Sequence, residues 1–415
     1  MTDLVGTIVL IPLLAVLAPL AARAIRPWLP VPVVVFELVL GILVGPSVLG
    51  WTGPNQYIGL LSQFGLAMLF FVAGTEIDFA GLRGRTGRRA NLGWIISLAL
   101  AVAVGFLITP GLGAIVVGIA LSSTALGTLL PILRDAGELK TPFGKAASAL
   151  GAVGEFGPLI AISILLSGHR PGPAALVLVG FLLITAGAVW YALKGPRGAL
   201  HRFVNATLHT SGQFAVRVVI LILLGLVALS IVLDLDMLLG AFAAGIVWRL
   251  LMRDADPLDH EAVESKIEGL AFGFLVPLFF VYTGVTFDLG ALLADPRLLA
   301  LVPVALVVML FVRGLPSTLA APAGSDGRTK TALMLLGATG LPIIVAVTGI
   351  GVKQQLISSG LASVLVGAGM LSVLLFPLIA MALRGSAAAD EVAGGEGDAG
   401  DPHDVIPGEA IPDEA

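Results

Sequence analysis

The sequence predicts an all-α membrane protein of about thirteen transmembrane helices, arranged as two inverted six-helix repeats. Three observations carry that prediction. Apolar residues come in long uncharged runs, basic residues fall almost wholly on one side of the predicted spans, and two helix-breaking segments recur at corresponding places in the two halves of the chain.

The runs come first. Of 415 residues, 57% are hydrophobic and 12% charged, where a soluble domain carries about a quarter charged; mean hydropathy is +1.03. Windows such as Ile95–Ile108, Leu176–Val189 and Leu298–Val312 hold no charge at all. With their flanks they match the hydrocarbon thickness of a bilayer. The 52 Gly and 25 Pro fit the same setting, because small residues let membrane helices approach closely and neighbours can re-satisfy a broken backbone. Cysteine is absent, which excludes disulfide and thiolate chemistry. The first residues, Met-Thr-Asp-Leu-Val, lack the basic start of a cleavable leader, so the first apolar stretch reads as a retained span. Spans are expected near 4–22, 32–50, 58–74, 91–109, 112–132, 144–167, 173–192, 215–233, 236–252, 270–286, 298–321, 329–351 and 355–383.

Charge sets the orientation. The last 30 residues, Ser386 to Ala415, carry nine acids and no Lys or Arg, leaving 18 acids against 23 bases in the rest. That composition cannot bury a core, so residues 386–415 are expected to be a disordered acidic tail. Among the connections between spans, the odd-numbered set holds 18 basic residues and the even-numbered set three, with Arg217 and Arg313 inside spans. By the positive-inside rule, the N-terminus lies outside and the tail in the cytoplasm. The expected domain is 1–385, with repeat one at 4–167, a linker helix at 173–192 and repeat two at 215–383.

Ionisable residues at membrane depth are costly and mark function. Glu155 lies mid-span in Ala147-Ser148-Ala149-Leu150-Gly151-Ala152-Val153-Gly154-Glu155-Phe156-Gly157-Pro158. A lone carboxylate in low dielectric has a raised proton affinity, which suits it to trade a proton for a cation; the alternative is a structural carboxylate paired with an Arg. Arg313, mid-span in Val312-Arg313-Gly314, needs a partner, and Glu155 is the expected one. Glu37 reads as a cavity-lining acid or a helix–helix bond. Glu76 and Asp78, beside Arg83, read as an interfacial helix end, and Glu37 and Glu76 are the secondary site candidates. Leu121-Ser122-Ser123-Thr124-Ala125-Leu126-Gly127 gathers three hydroxyls in the fifth span, and Gly337-Ala338-Thr339-Gly340-Leu341-Pro342 interrupts the twelfth. Proline removes a backbone donor and glycine tolerates unwinding, and unwound backbone at depth survives only where it lines protein or a cavity. The fifth of the first six spans and the fifth of the last six thus carry matching breaks, the sequence sign of an inverted-repeat transporter. A kinked packing helix is the plainer reading of each break alone.

The chain resembles the monovalent cation:proton antiporter-2 family, the sodium/hydrogen exchanger domain shared with glutathione-gated potassium efflux systems. The stretches that carry the resemblance are Phe36-Glu37-Leu38-Val39-Leu40-Gly41-Ile42-Leu43-Val44-Gly45-Pro46, Met68-Leu69-Phe70-Phe71-Val72-Ala73-Gly74-Thr75-Glu76-Ile77-Asp78, Ala120-Leu121-Ser122-Ser123-Thr124-Ala125, Leu239-Gly240-Ala241-Phe242-Ala243-Ala244-Gly245 and Val276-Pro277-Leu278-Phe279-Phe280-Val281-Tyr282-Thr283-Gly284. They run in family order over roughly 5 to 383. The resemblance implies a core domain moving against a dimerisation domain, a homodimer built on spans one to three and eight to ten, and two crossing unwound helices around the cation site. Those helices map to Ser122, Ser123 and Thr124 and to Thr339, Gly340 and Pro342. The family's ion-binding Asp falls at Glu155 and its basic residue at Arg313. Two departures stand out: Glu for Asp, and Gly154 where the family carries a polar or acidic neighbour. The family's frequent nucleotide-binding domain is not seen, and no strand-led Gly-x-Gly-x-x-Gly occurs.

The expected function is exchange of Na+ or K+ for H+ by alternating access, electrically silent, in the cell membrane. The alternative is a passive cation channel on the same scaffold. An intramembrane enzyme lacks its groups: there is no His-Glu-x-x-His, and His169, His201, His209, His260 and His403 all fall in loops or the tail. No cofactor, resident metal or nucleic-acid partner is expected; the partners are the ions, the lipid bilayer and a second copy.

Overall fold

Helix starts follow the capping residues of the sequence. Asn55 accepts from the Tyr57 amide at 2.9 Å, Thr141 from Gly144 at 3.0 Å ahead of Pro142, Asp236 from Leu238 at 2.9 Å and Asp326 from Thr329 at 2.8 Å, each filling an orphan donor of a helix's first turn. The turn signal Pro110-Gly111 closes the fourth span against the fifth, with Gly111 at φ +64°, a backbone region glycine enters without steric cost. The computed structural model describes residues 2–25, 31–77, 82, 84–166, 171–194, 213–253 and 257–395. Asp78, Arg83, the connection at 195–212 and the tail beyond 395 lie outside the described residues.

Among the described residues every regular element is a helix. Ten stretches are long and apolar enough to cross a membrane: Ile8–Ile25, Gln56–Thr75, Arg85–Ile108, Leu112–Arg134, Pro142–Leu165, Phe214–Val232, Glu261–Ala294, Pro296–Ala320, Gly327–Lys353 and Ser359–Gly385. Val33–Val44, Gly172–Gly187 and Met237–Leu251 are shorter apolar helices. In chain order these thirteen fall where the thirteen spans are expected.

The ends differ most at the second, fourth (Arg85 rather than 91), tenth and last spans. The second span stops at Val44 rather than 50, because Pro46 disfavours helical backbone in the residue before it. The tenth starts earlier than 270: a polar helix, Pro257–Leu270, runs through a π-turn at Ala271–Leu275 into Val276–Val285. Its Glu and Lys residues are good helix formers that hydropathy alone passes over. The eleventh, Pro296–Met309, widens into a π-turn at Leu310–Gly314 before Pro316. The last helix runs past 385 to Gly395, through an Ala-rich stretch of high helix propensity.

The spans pack as two groups. The first, second, third, eighth, ninth and tenth contact one another, as do the fourth, fifth, sixth, eleventh, twelfth and thirteenth, with thinner contact between groups. In the first group, glycines let backbones touch. A Cβ on Gly74 would strike the Phe242 carbonyl, and one on Gly245 the Phe71 carbonyl; a Cβ on Gly41 would strike the Val281 carbonyl, and one on Gly284 the Leu38 carbonyl. The two crossings, third with ninth and second with tenth, are copies of each other. Leu38 and Gly41 stand to Phe242 and Gly245 by a shift of 204 positions, and Phe71 and Gly74 to Val281 and Gly284 by a shift of 210. The same shift of 210 relates Gly65 to Leu275, which meet directly.

Candidate functional site

Both expected breaks are present. The fifth span is two helices, Leu112–Leu121 and Leu126–Asp135, parted at Ser122–Ala125. The twelfth is Gly327–Gly337 and Pro342–Lys353, parted at Ala338–Leu341 with Pro342 opening the second half. Backbone freed at each break bonds to the other: the Ala125 amide donates to the Thr339 carbonyl at 2.8 Å. The Thr124 amide donates to the Gly154 carbonyl of the sixth span at 2.9 Å, and the Thr124 hydroxyl donates to the Gly337 carbonyl at 2.5 Å. The breaks thus satisfy their polar backbone inside protein, as membrane depth demands.

Glu155 comes to this crossing from the sixth span. It is 2% exposed, and its Oε2 accepts from the Leu126 amide at 3.1 Å. Leu126 opens the second half of the fifth span, so the carboxylate sits at a helix N-terminus, where unpaired N–H groups and the helix dipole favour negative charge.

Arg313 is fully buried in the π-turn of the eleventh span. Its Nε donates to the Thr124 hydroxyl and its Nη2 to the Leu150 carbonyl, both at 2.9 Å. Nη1 is buried without a hydrogen-bond partner. The expected ion pair with Glu155 is not formed: no salt bridge joins the two among the described residues. Helix geometry gives the reason. Successive residues are turned by about 100°, and Arg313 occupies the Gly154 side of the sixth span. A Cβ built on Gly154 would lie 2.5 Å from Thr124 Oγ1 and 2.6 Å from Arg313 Nη2.

The remaining hydroxyls close on their own helices. Ser122 donates to the Ile119 carbonyl at 3.2 Å, Ser123 to Ala120 at 2.9 Å and Thr339 to Leu335 at 3.1 Å. The amide of Gly340 donates to the hydroxyl of Ser372 at 3.1 Å, a residue of the thirteenth span that sequence reasoning passed over. Its signal was a lone hydroxyl in an apolar run.

Of two other carboxylates, Glu37 lies apart from this crossing, and Glu76 lies within electrostatic reach of Glu155. Glu37 is 5% exposed in the second span, which packs on the tenth within the other helical group. Glu76 follows the third span, with Oε2 buried and unpartnered. Burial holds the Glu76 carboxyl up at about 7; Arg134 and Arg249 pull it down, and Glu268 and Glu264 push it further up. A cavity of about 20 Å³ nearby, lined by Thr75, Trp248, Arg249, Glu264 and Glu268 among others, has room for about one water. Phe156, next to Glu155, stacks on Phe242 of the ninth span at 5.4 Å, one of the few contacts from the site to the first helical group.

A family model described as sodium/hydrogen exchanger, transmembrane, matches residues 12–382. A Bacillus subtilis relative, YjbQ, is 26% identical over 374 residues, 85% of this chain and 59% of that protein. The Na(+)/H(+)-K(+) antiporter GerN of Bacillus cereus is 28% identical over 278 residues, 62% of this chain and 66% of GerN. Cation/H(+) antiporter 19 of Arabidopsis thaliana is 31% identical over 304 residues, 66% of this chain and 37% of that protein. The chain therefore spans less than two thirds of these relatives' lengths. Among solved structures, the sodium proton antiporter MjNhaP1 of Methanocaldococcus jannaschii at pH 8 superposes with a TM-score of 0.65 over 94% of this chain and 100% of that one, at 16% identity. That likeness is one of fold.

Proposed function

The chain belongs to the sodium/hydrogen exchanger transmembrane family, and from that premise we propose that it exchanges Na+ or K+ for H+ by alternating access, with Glu155 as the shared binding group. The observation that carries the proposal is the buried Glu155 carboxylate at a helix start between two broken spans. A carboxylate so placed binds one proton or one monovalent cation, and not both together. The relatives' names support the ion class: GerN is named for Na+, H+ and K+.

The surrounding frame belongs to the same reading. Two inverted repeats, 4–167 and 215–383 with the seventh span between them, account for the duplicated glycine crossings and for the matching breaks. The group holding Glu155 is the moving core; the other is the scaffold, on which a homodimer forms through spans one to three and eight to ten. The proposed membrane is the cell membrane, with the N-terminus outside and the acidic tail in the cytoplasm, on the strength of the basic residues in the odd-numbered connections. Arginine does not release its proton in proteins, and Gly154 adds no charge, so exchange is one for one and electroneutral.

The test is proton flux in sealed everted vesicles, read by fluorescence dequenching as sodium, potassium and lithium are added in turn. Wild type should give a saturable, cation-dependent pH change, and Glu155→Gln should abolish it while folded protein stays in the membrane. Undiminished flux in Glu155→Gln would sink the assignment. Current at channel rates would instead favour passive conduction.

A further inference from the structure

Arg313 has the most partners of any buried charge near the crossing, and none of them is Glu155. Its Nε and Nη2 grip two different elements: the Thr124 hydroxyl in the first break and the Leu150 carbonyl one turn before Gly154 on the sixth span. Thr124 in turn holds the Gly154 carbonyl through its amide and the Gly337 carbonyl through its hydroxyl. Four spans therefore meet at one threonine: the fifth that carries it, the sixth, the eleventh and the twelfth. With Nε on one acceptor and Nη2 on another, only a planar fork can make both bonds at once. Space at this point is filled. A Cβ at position 154 would come within 2.6 Å of both Thr124 Oγ1 and Arg313 Nη2, so the guanidinium and the threonine fit only because residue 154 is glycine.

We propose that Arg313 is a positioning residue that acts through Thr124, locking the first break against the sixth span in the space left by Gly154. Thr124 then belongs to the frame of the site, with its hydroxyl committed to backbone and guanidinium rather than to the transported cation. The proposal rests on reading this crossing as the cation site. It assigns Arg313 a geometric duty, which its charge alone cannot discharge.

The test uses the full chain in vesicles, with wild-type flux as the check on the underlying reading: if wild type shows no cation-dependent flux, that reading fails before the variants are compared. The variants are Arg313→Lys, Arg313→Gln, Thr124→Val and the double Thr124→Val/Arg313→Gln, all at matched membrane levels. Arg313→Lys keeps the charge but loses the fork, and is expected to fall at least tenfold in maximal rate, as far as Arg313→Gln. Thr124→Val keeps the shape but loses the hydroxyl, and should show the same fall in maximal rate with the cation concentration for half-maximal flux within about twofold of wild type. The double variant should be no worse than the poorer single, because both changes open the same lock. The pH at half-maximal flux should stay in place throughout. Rescue by Arg313→Lys, single losses that multiply in the double, or a displaced pH midpoint would overturn the proposal in favour of a charge role. A Thr124→Val variant with normal maximal rate and weakened cation affinity would overturn it in favour of a ligand role. If the Arg313 variants do not reach the membrane, Thr124→Val alone decides: unchanged flux ends the proposal.

Discussion

Breaking the Glu138–Arg384 pair should destabilise the protein by about 3 kcal/mol. Glu138 lies in the turn between the fifth and sixth spans, and Arg384 at the end of the last. Arg384 Nε and Glu138 Oε1 are 2.7 Å apart, with side chains 8% and 10% exposed. The Thr141 hydroxyl donates to the other carboxylate oxygen at 2.7 Å, and the guanidinium lies 5.3 Å from the centre of the Phe143 ring. Surface pairs are worth about 0–1 kcal/mol. This one is nearly buried, so removing one partner strands a charge, a loss of about 3–5 kcal/mol; the remaining exposure and the Thr141 bond argue for the lower end. Arg384→Met is the perturbation, since it keeps the aliphatic stem over Phe143. The assay is reversible unfolding in mixed micelles titrated with a denaturing detergent. Glu138→Gln in the Arg384→Met background should recover about 1 kcal/mol or more, because it removes the stranded charge. A cost below about 0.5 kcal/mol for Arg384→Met, or a double variant as poor as the two singles added, would refute the argument.

Three further outcomes follow. Exchange should proceed at the same rate with and without a potassium–valinomycin potential; acceleration or reversal would show that a second charge moves. Gly245→Val should part the third and ninth spans at the point where Phe71 and Gly74 of the third touch Gly245 of the ninth, with an overpacking cost of about 1–3 kcal/mol read in the same unfolding assay. Glu76→Gln should become more stable than wild type as pH rises. Burial holds the wild-type carboxyl at about 7 in the folded protein, above its ordinary 4.5; its favourable contribution is complete below the lower value and is lost as pH climbs through the upper one. The two proteins should melt together near pH 4.5 and diverge to a plateau above pH 7; parallel curves would remove Glu76 from the account.

Spans and breaks were legible because bilayer thickness and backbone satisfaction write themselves into composition. Gly337 to Pro342 and Ser122 to Thr124 can only be breaks at depth if something else bonds their backbone, and the structure supplies it from the opposite break, the sixth span and the thirteenth. The polar half of the tenth span, Pro257–Leu270, was not legible, because hydropathy counts apolar residues while helix propensity also admits Glu and Lys. The partner of Arg313 was misjudged for a different reason. Two opposite charges in apolar surroundings suggest a pair, but the actual acceptors are a hydroxyl and a carbonyl, and backbone carbonyls leave no mark in a sequence. Gly154 did leave one. It stands where the resemblance implies a polar or acidic neighbour, and in three dimensions its lack of a side chain is the room that the guanidinium fills.

With Glu155 as the proposed ion-binding group, that arrangement bears on how ion binding and helix movement are joined. The Glu155 carboxylate caps the second half of the fifth span through the Leu126 amide, and the first half ends in the break that Thr124 anchors. A bare carboxylate is held by the positive end of that half-helix. A proton or a cation on Glu155 neutralises the charge the helix end was holding, so filling the site weakens the same contact that orients the acid. With Arg313 tied to Thr124 and Leu150, its charge stays fixed to the frame, and the half-helix from Leu126 is the element whose hold on Glu155 changes with occupancy. On this reasoning the second break, where the Ser372 hydroxyl bonds both the amide and the carbonyl of Gly340 at 3.1 Å, is the insensitive partner. It carries no ionisable group at the equivalent place.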